Sequence, residues 1–273
     1  MIAVDWGTSS FRAYRLGAQG EVLERRSSGD GILAVKDFPS VLDQRVGDWK
    51  ERPIVMSGMV GSRQGWKEAP YVACPAGFEE IGKGMQKVSE DIWIVPGVIS
   101  HGDVPDVMRG EETQILGAGI EDGVVCLPGT HSKWVDVRAG RIVRFATHMT
   151  GEVFAILREH SILGRTMDKD ASKPADFLEG VARSGDAGGL LHHLFGVRTR
   201  RLVGDLEDAA SYLSGILIGH ELRAAGANKV RLLGTAQLTR LYAKAAGALG
   251  IETEVLDPEA GVSALFRLGA MLR

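Results

Sequence analysis

The residues best suited to do chemistry lie at the start of the chain, where an apolar run reaches Asp5 and continues into Gly7, Thr8 and Ser9. Glycine lets a backbone turn tightly and approach a ligand closely, and successive exposed N–H groups form a concavity that binds anions. A carboxylate at the end of a strand can hold a hydrated divalent cation beside that anion. The pattern predicts a β-hairpin that binds the phosphates of ATP, with Asp5 associated with Mg²⁺. An ordinary hairpin turn capped by Asp5 is the alternative.

The same pattern occurs again 122 residues after Gly7, at nearly half the length of the chain. A second apolar run leads into a Gly-Thr-x-Ser sequence and an alternating strand, which supply four further phosphate-binding candidates: Gly129, Thr130, His131 and Lys133. A solvated strand lysine and a structural turn histidine are the alternatives for the last two. Internal similarity of this kind predicts an α/β fold with a duplicated actin-like (ribonuclease H-like) arrangement. We expect two lobes, with mixed β-sheets flanked by helices, and ATP in an interlobe cleft.

The elements that would position these residues follow from periodicity and capping signals. Residues 2–35 predict a β-meander, and residues 37–50 and 110–118 predict helices. Residues 174–197 are expected to be mostly helical, and Asp205 is expected to cap a longer helix that begins after it. A strand at 230–233 leads into the turn Gly234-Thr235 and another helix, so that adenine could lie close to the backbone there. An ordinary strand-to-helix turn is the alternative at this position.

Composition excludes several classes of protein. Of 273 residues, 36 are glycine, which favours a fold with many tight turns over a helical bundle. A net charge of −3 argues against a nucleic-acid partner or an anionic membrane surface. The two cysteines, Cys74 and Cys126, lack metal-ligand spacing, and no apolar run is long enough to span a membrane. We therefore expect a cytoplasmic protein, and whether it forms a homodimer is left open.

Several longer motifs carry a resemblance to a known family. They are DWGTSSFRAY (5–14), MSGMVGSRQGWKEAPY (56–71), IWIVPGV (92–98), VMRGEETQILGA (107–118), LPGTHSKWV (127–135), MTGE (149–152) and YLSGILIG (212–219). The chain resembles the 2-keto-3-deoxygalactonokinases, sugar-acid kinases of the actin/hexokinase-like superfamily. The resemblance implies ATP-dependent phosphorylation of the terminal 6-hydroxyl of 2-keto-3-deoxygalactonate, a small-molecule sugar acid, in galactonate catabolism.

This resemblance implies a domain arrangement and a substrate site. An N-terminal lobe (1–117) would hold the first hairpin and the sugar pocket, and a C-terminal lobe (118–256) the second hairpin and the adenosine site. A helix at 257–273 could pack back at the junction. Arg109 is the candidate for the substrate carboxylate, because an arginine fork matches a planar carboxylate. The remaining pocket candidates are Gly61, Ser62, Trp66, Lys67 and Tyr71. A structural salt bridge for Arg109 and a core position for Trp66 are the alternatives.

Phosphoryl transfer also needs a carboxylate near the attacking hydroxyl. Glu111 is our candidate for the base or for the organiser of metal-bound water, because related kinases carry an acid at this place. Its neighbour Glu112 and the upstream Asp103 remain rivals, and acids in a first helical turn also stabilise the helix dipole. A phosphate-ester or polyphosphate hydrolase of the same superfamily is the alternative enzyme. A non-catalytic actin-like ATP switch is the alternative outside catalysis.

Overall fold

The computed structural model describes residues 1–167 and 173–272 and divides the chain into two compact units. The first comprises residues 1–123, 135–145 and 257–273, and the second comprises residues 124–134 and 146–256. Within the described ranges, no helix combines the length and the apolar character needed to cross a membrane.

The first unit is built on a mixed sheet in the order β3-β2-β1-β4-β7-β6. Its strands are β1 (Ile2–Trp6), β2 (Phe11–Leu16), β3 (Val22–Ser28), β4 (Ile54–Ser57), β6 (Gln86–Lys87) and β7 (Ile92–Ile94). Strand β1 pairs antiparallel with β2 and parallel with β4, which sets Asp5 opposite Arg12 on one side and Ser57 on the other. Ile2, Ala3 and Val4 are fully buried, as expected for a central strand covered on both faces.

The other elements of the first unit frame this sheet. They are α1 (Phe38–Val46), a 3-10 turn (Met59–Gly61), α2 (Phe78–Gly84), α3 (Glu111–Gly117) and α9 (Ala260–Ala270), with a small sheet of β5 (Val72–Ala73), β8 (Val98–Ser100) and β9 (Asp106–Met108) in the order β5-β8-β9. Helix α9 packs on α3, where an added Cβ at Gly117 would lie 1.9 Å from the carbonyl oxygen of Ala260. Only glycine fits so close a crossing. The meander and the helices predicted near residues 37–50 and 110–118 are present.

A second sheet contains the strands β10 (Gly123–Leu127), β13 (Lys229–Leu232) and β14 (Glu252–Val255), in which β10 pairs parallel with β13 and β13 pairs parallel with β14. Its full order is β12-β11-β10-β13-β14. Strands β11 (Ser132–Arg138) and β12 (Arg141–His148) contribute residues 135–145 to the first unit. The helices are α4 (Thr150–His160), α5 (Pro174–Arg183), α6 (Gly189–Val203), α7 (Ala209–Ala225) and α8 (Ala236–Ala248), with a 3-10 turn at Gly164–Thr166. Helix α7 packs closely on α5 through Gly180 and Gly215.

Two details of the predicted elements differ from the structure. The helical stretch 174–197 is interrupted, because α5 ends at Arg183 and α6 begins at Gly189. The expected cap Asp205 is wrong, since α7 begins at Ala209 and the side chain of Asp208 accepts the N–H groups of the first turn. Both aspartates precede the apolar stripe, so the sequence alone did not distinguish them.

Candidate active site

The first glycine loop joins β1 to β2 and is supported from behind by a second glycine. The N–H of Gly7 donates to the carbonyl of Ser10 at 2.9 Å, while Thr8 and Ser9 are exposed. An added Cβ at Gly31 would lie 2.2 Å from the carbonyl oxygen of Thr8 and 2.3 Å from Cα of Ser9. The segment around Gly31 therefore presses directly on the loop and fixes its backbone. The exposed N–H and hydroxyl groups can meet an anion.

Asp5 lies beside this loop in an environment that disfavours its charge. Burial raises the pKa of Asp5, the carboxylate of Glu111 raises it further, and Arg12, whose Nη1 is 3.3 Å from Oδ2 of Asp5, acts in the opposite direction. An added Cβ at Gly58 would lie 3.3 Å from Oδ1 of Asp5. A positive ion at this place would relieve the repulsion between the Asp5 and Glu111 carboxylates.

The two glutamates at the start of α3 have different environments. Gly110 adopts φ +108° and packs on Gly58, and its N–H donates to Oε2 of Glu112 at 2.7 Å. Glu112 is fully buried, and its Oε1 has no hydrogen-bond partner among the described residues. Burial first, and then the charge of Glu111, raise the pKa of Glu112 to about 8. Glu111 is partly exposed and accepts the N–H of Arg109 at 3.1 Å. The side chain of Glu112 thus holds the backbone at Gly110, and Glu111 is the carboxylate that solvent can reach.

The side chain of Arg109 has hydrogen-bond donors that no described residue accepts. Its Nη2 donates to the carbonyl of Ala69 at 2.7 Å, and its guanidinium carbon lies 4.5 Å from the ring centroid of Tyr71. Its Nε and Nη1 are buried without a partner among the described residues, and so is Oγ of neighbouring Ser62. An added Cβ at Gly61 would lie 3.0 Å from Nη1. Buried donors without partners are costly, so these atoms mark a place where an anionic group would be stabilised.

The other predicted residues of the sugar pocket and the rival base lie in different surroundings. Trp66 stacks on Phe38 with ring centroids 6.3 Å apart and packs against the core of the first unit. Lys67 is exposed and donates to the carbonyl of Lys87 on β6 at 2.6 Å. Asp103 is exposed in the turn between β8 and β9. Of the predicted pocket residues, Gly61 and Tyr71 therefore lie next to Arg109, and Ser62 directly follows Gly61 in the chain.

The second glycine loop is supported in the same way by the start of α4. An added Cβ at Gly151 would lie 2.4 Å from the carbonyl oxygen of Gly129 and 2.8 Å from Cα of Thr130. The N–H of Glu152 donates to the carbonyl of Thr130 at 3.0 Å, and its carboxylate contacts Nε2 of His131. The MTGE motif therefore fixes this loop, and His131 has a carboxylate partner beside it.

Lys133 and the turn after β13 flank the second loop. Lys133 is only 5% exposed, and its Nζ donates to the carbonyl of His131 at 3.2 Å, so it is not a solvated strand lysine. An added Cβ at Gly234 would lie 3.4 Å from the carbonyl oxygen of Pro128. Thr235 is exposed at the N-cap of α8. These contacts bring the predicted adenosine turn next to the predicted phosphate loop within one unit.

A cavity of about 590 Å³ opens from the second loop into the second unit. This volume is in the range of small-molecule sites. Its lining combines apolar side chains from four helices with hydroxyl and cationic groups, and it includes Gly129, Thr150, Phe154, Arg158, Lys173, Phe177, Ser211, Ser214, Leu217, Gln237, Leu238, Arg240, Leu241, Tyr242 and Lys244. Apolar and aromatic walls with a few polar groups suit a nucleoside.

Sequence reasoning missed the cavity walls, the burial of Glu112 and the supporting glycines. Most of these depend on contacts between distant segments. One signal was available, because Glu221 interrupts the apolar stripe of α7 and a charge in such a stripe needs a buried partner.

The donor set fits a magnesium ion that is bound mainly by phosphates and water. In the described ranges, no group of three or more His, Cys, Asp or Glu side chains forms a metal cage. Asp5 instead lines a small cavity of about 40 Å³ together with Ser57 and Gln114. Mg²⁺ usually takes one or two carboxylates and keeps several waters, so one or two acids beside a phosphate loop suffice.

Comparisons with known proteins identify the family to which the chain belongs. The family model described as 2-keto-3-deoxy-galactonokinase matches residues 5–268. The chain is 37% identical over 281 residues to the 2-dehydro-3-deoxygalactonokinase of Escherichia coli K12, covering 97% of this chain and 96% of that protein. A crystal structure of a candidate 2-dehydro-3-deoxygalactonokinase from Sinorhizobium meliloti is similar with a TM-score of 0.92 and 37% identity, over 99% of this chain and 98% of that one.

A more distant similarity supports the fold alone. An activator of 2-hydroxyisocaproyl-CoA dehydratase from Clostridium difficile, solved with bound ADPNP, matches with a TM-score of 0.54 at 12% identity, over 100% of this chain and 95% of that one. These matches confirm the expected α/β fold class and the family resemblance.

Proposed function

The chain belongs to the 2-keto-3-deoxy-galactonokinase family, and from this premise we propose that it transfers the γ-phosphoryl group of ATP to the terminal 6-hydroxyl of 2-keto-3-deoxygalactonate. The proposal rests on the set of functional groups that the first unit contains. It holds a glycine-containing turn with exposed residues Thr8 and Ser9, a pair of interacting carboxylates, and an arginine with two donors that have no partner among the described residues. The reaction would take place in the cytoplasm, where ATP is available.

The phosphates are assigned to the two glycine loops. In the first unit, the N–H and hydroxyl groups of Thr8 and Ser9 would donate to phosphate oxygens, and Gly7, whose N–H is bonded to Ser10, would let the loop backbone approach them closely. In the second unit, Gly129, Thr130 and His131 would do the same, and Lys133 would supply positive charge. Asp5 would hold Mg²⁺ through water, and that ion neutralises the charge on the transferring phosphoryl group.

Glu111 is assigned as the base or as the group that orients metal-bound water. It is partly exposed and lies close enough to Asp5 to raise the pKa of that residue. Glu112 is fully enclosed and engaged with Gly110, so a substrate hydroxyl does not reach it in this arrangement. Asp103 is exposed in the turn between β8 and β9 and is given no role in this assignment.

Arg109 is assigned to the carboxylate of the sugar acid. Its Nε and Nη1 are charged donors without a partner among the described residues, and they would donate to the oxygens of a planar carboxylate. The hydroxyl of Ser62, which also has no partner among those residues, would add a further donor. These atoms lack solvent contact here, so admission of the substrate would require movement of residues 61–71. Such opening and closing also keeps water away from the phosphoryl group.

The nucleoside is assigned to the cavity of the second unit. Phe154, Phe177 and Leu241 would contact the base, and the serines of α7 would meet the sugar hydroxyls. The Gly234-Thr235 turn would border the same nucleotide.

The proposal is tested by coupled ADP release with ATP, Mg²⁺ and a panel of 2-keto-3-deoxy sugar acids and neutral hexoses. We expect turnover only with the acids, and loss of turnover in Asp5→Asn with unchanged circular dichroism. ATP hydrolysis that does not depend on an acceptor would support the hydrolase instead. Turnover with hexoses alone would refute the substrate, and an active Asp5→Asn would refute the metal role.

A further inference from the structure

A buried chain of hydrogen bonds in the second unit connects the second glycine loop to the wall of the cavity. Oγ of Ser132 lies 2.9 Å from the hydroxyl of Tyr242, and that hydroxyl donates to Oε2 of Glu221 at 2.7 Å. Nε1 of Trp134 donates to Oε1 of Glu221 at 2.8 Å. All four side chains are at most 6% exposed, so water does not replace these bonds. The four residues come from β11, α7 and α8.

The direction of each bond follows from the number of hydrogens available. Burial, and next the neighbouring Glu221, raise the pKa of Tyr242, so its hydroxyl stays protonated. Its one hydrogen is given to Glu221, and Ser132 must then be the donor to Tyr242. The indole of Trp134 can only donate. Each oxygen of the Glu221 carboxylate therefore receives one neutral donor.

This order of donors has a consequence for the loop. Ser132 follows directly after the predicted phosphate-binding residues 129–131, and its hydroxyl hydrogen is committed to Tyr242. It is therefore an anchor of the loop and is not a phosphate donor. Tyr242 also lines the cavity next to Leu241 and Lys244. One side chain thus touches both the cavity and the anchor of the loop.

We propose that the hydroxyl of Tyr242 is a positioning group for the phosphates of the nucleotide, holding residues 129–131 in register with the cavity through Ser132. This inference rests on the proposed function, because it assumes that the cavity binds the nucleoside and the loop binds its phosphates. The ring of Tyr242 would contribute to the cavity wall, and its hydroxyl would act only on the phosphate end.

The test is Tyr242→Phe, which keeps the ring and removes the hydroxyl. Affinities for adenosine and for a non-hydrolysable ATP analogue are measured by calorimetry, and kcat and KM for ATP by ADP release. We expect the dissociation constant of the analogue and KM for ATP to rise about tenfold, the factor that corresponds to one hydrogen bond. Adenosine affinity should change less than twofold, because adenosine carries no phosphate.

Trp134→Phe is the matched control. It removes the other donor to Glu221 at similar burial but breaks no bond to Ser132 or the cavity. We expect it to lower the melting temperature as Tyr242→Phe does and to leave the ratio of the two affinities unchanged. Ser132→Ala should reproduce the loss of analogue affinity, and the double variant should be no worse than either single variant, because all three lack the same bond.

The outcomes separate the inference from the proposed function. If Tyr242→Phe lowers the affinities for adenosine and for the ATP analogue equally, or lowers neither, the inference is overturned. The proposed nucleotide site would still stand in that case, provided that the wild type binds both ligands. The same altered ratio in Trp134→Phe would also overturn it, since the effect would then follow from general loosening. A wild type that binds neither ligand would overturn both.

Discussion

Glu112 gives the sharpest quantitative prediction, because a fully buried carboxyl makes the stability of the fold depend on pH. Its pKa rises from 4.5 to about 8 on folding. Between these two values, the unfolded chain has lost the proton and the folded chain keeps it, so stability must fall as pH rises. At about 1.4 kcal/mol per pH unit, the loss between pH 5 and pH 8 is about 4 kcal/mol. Below pH 4.5 and well above pH 8, this group contributes no slope.

The perturbation is Glu112→Gln. The amide oxygen can still accept the N–H of Gly110, and the NH₂ group takes the place of the protonated Oε1 with little change in volume. The variant cannot titrate, so it should lack the contribution of Glu112 to the pH slope. The free energy of unfolding of the variant minus that of the wild type should therefore increase by about 4 kcal/mol between pH 5 and pH 8.

The assay is urea unfolding of both proteins at half-unit steps from pH 4.5 to 9, followed by circular dichroism and tryptophan fluorescence. Glu111→Gln is the second arm, because removing that charge lowers the pKa of Glu112 and should shift the end of the slope to lower pH. A constant difference between Glu112→Gln and wild type across the series would refute the reasoning, since it would mean that Glu112 is ionised in the folded protein.

Two further predictions concern the substrate and the glycine loops. Arg109→Lys should raise KM for the sugar acid at least tenfold and KM for ATP by less, because lysine lacks the planar guanidinium fork. Equal increases of both KM values in the ADP-release assay would contradict this prediction. Gly31→Ala and Gly151→Ala should each lower kcat/KM by two orders of magnitude or more, since the new methyl group would displace a loop backbone. Gly247→Ala on α8, where an added Cβ meets nothing within 4 Å, is the control and should leave activity unchanged while stabilising the helix by about 0.5–1 kcal/mol in thermal unfolding.

Local signals predicted the glycine loops, and contacts between distant segments decided the rest. The run from Ile2 to Ser10 contains its own strand, turn and hydrogen-bonding groups, so the first hairpin could be predicted from the sequence. Glu111 and Glu112 are adjacent and identical in type, and only the packing around α3 buries one and leaves the other accessible. No local pattern distinguishes them.

The network around Tyr242 shows the same limit more strongly. Ser132 and Tyr242 are separated by 110 residues and share one hydrogen bond. The sequence pattern along β11 does not reveal which distant residue the hydroxyl of Ser132 contacts. Likewise, the motif containing Arg109 indicated an anion site, whereas the unpaired donors that support this role became visible only with Gly61 and Ser62 in place.

The duplication extends beyond the loops to the way in which each loop is held. In the first unit, Gly31 packs against Thr8 and Ser9, and in the second, Gly151 packs against Gly129 and Thr130. The supporting glycines are 120 residues apart in the chain, close to the 122 residues that separate Gly7 from Gly129. The two supports are therefore one steric device present twice, each within its own unit.

The chemistry attached to this device differs between the repeats. At the position before the loop, the first repeat has Asp5 and the second has Leu127. Asp5, which interacts with Glu111, accompanies the first loop, whereas a buried lysine and a large cavity accompany the second. The same supported backbone turn is present in both units, and the side chains around it differ in the way that the proposed roles require: acid and metal chemistry in the first unit and nucleoside binding in the second. It follows that Gly31→Ala and Gly151→Ala should impair turnover alike, whereas changes at Asp5 and Glu111 should also alter its magnesium dependence.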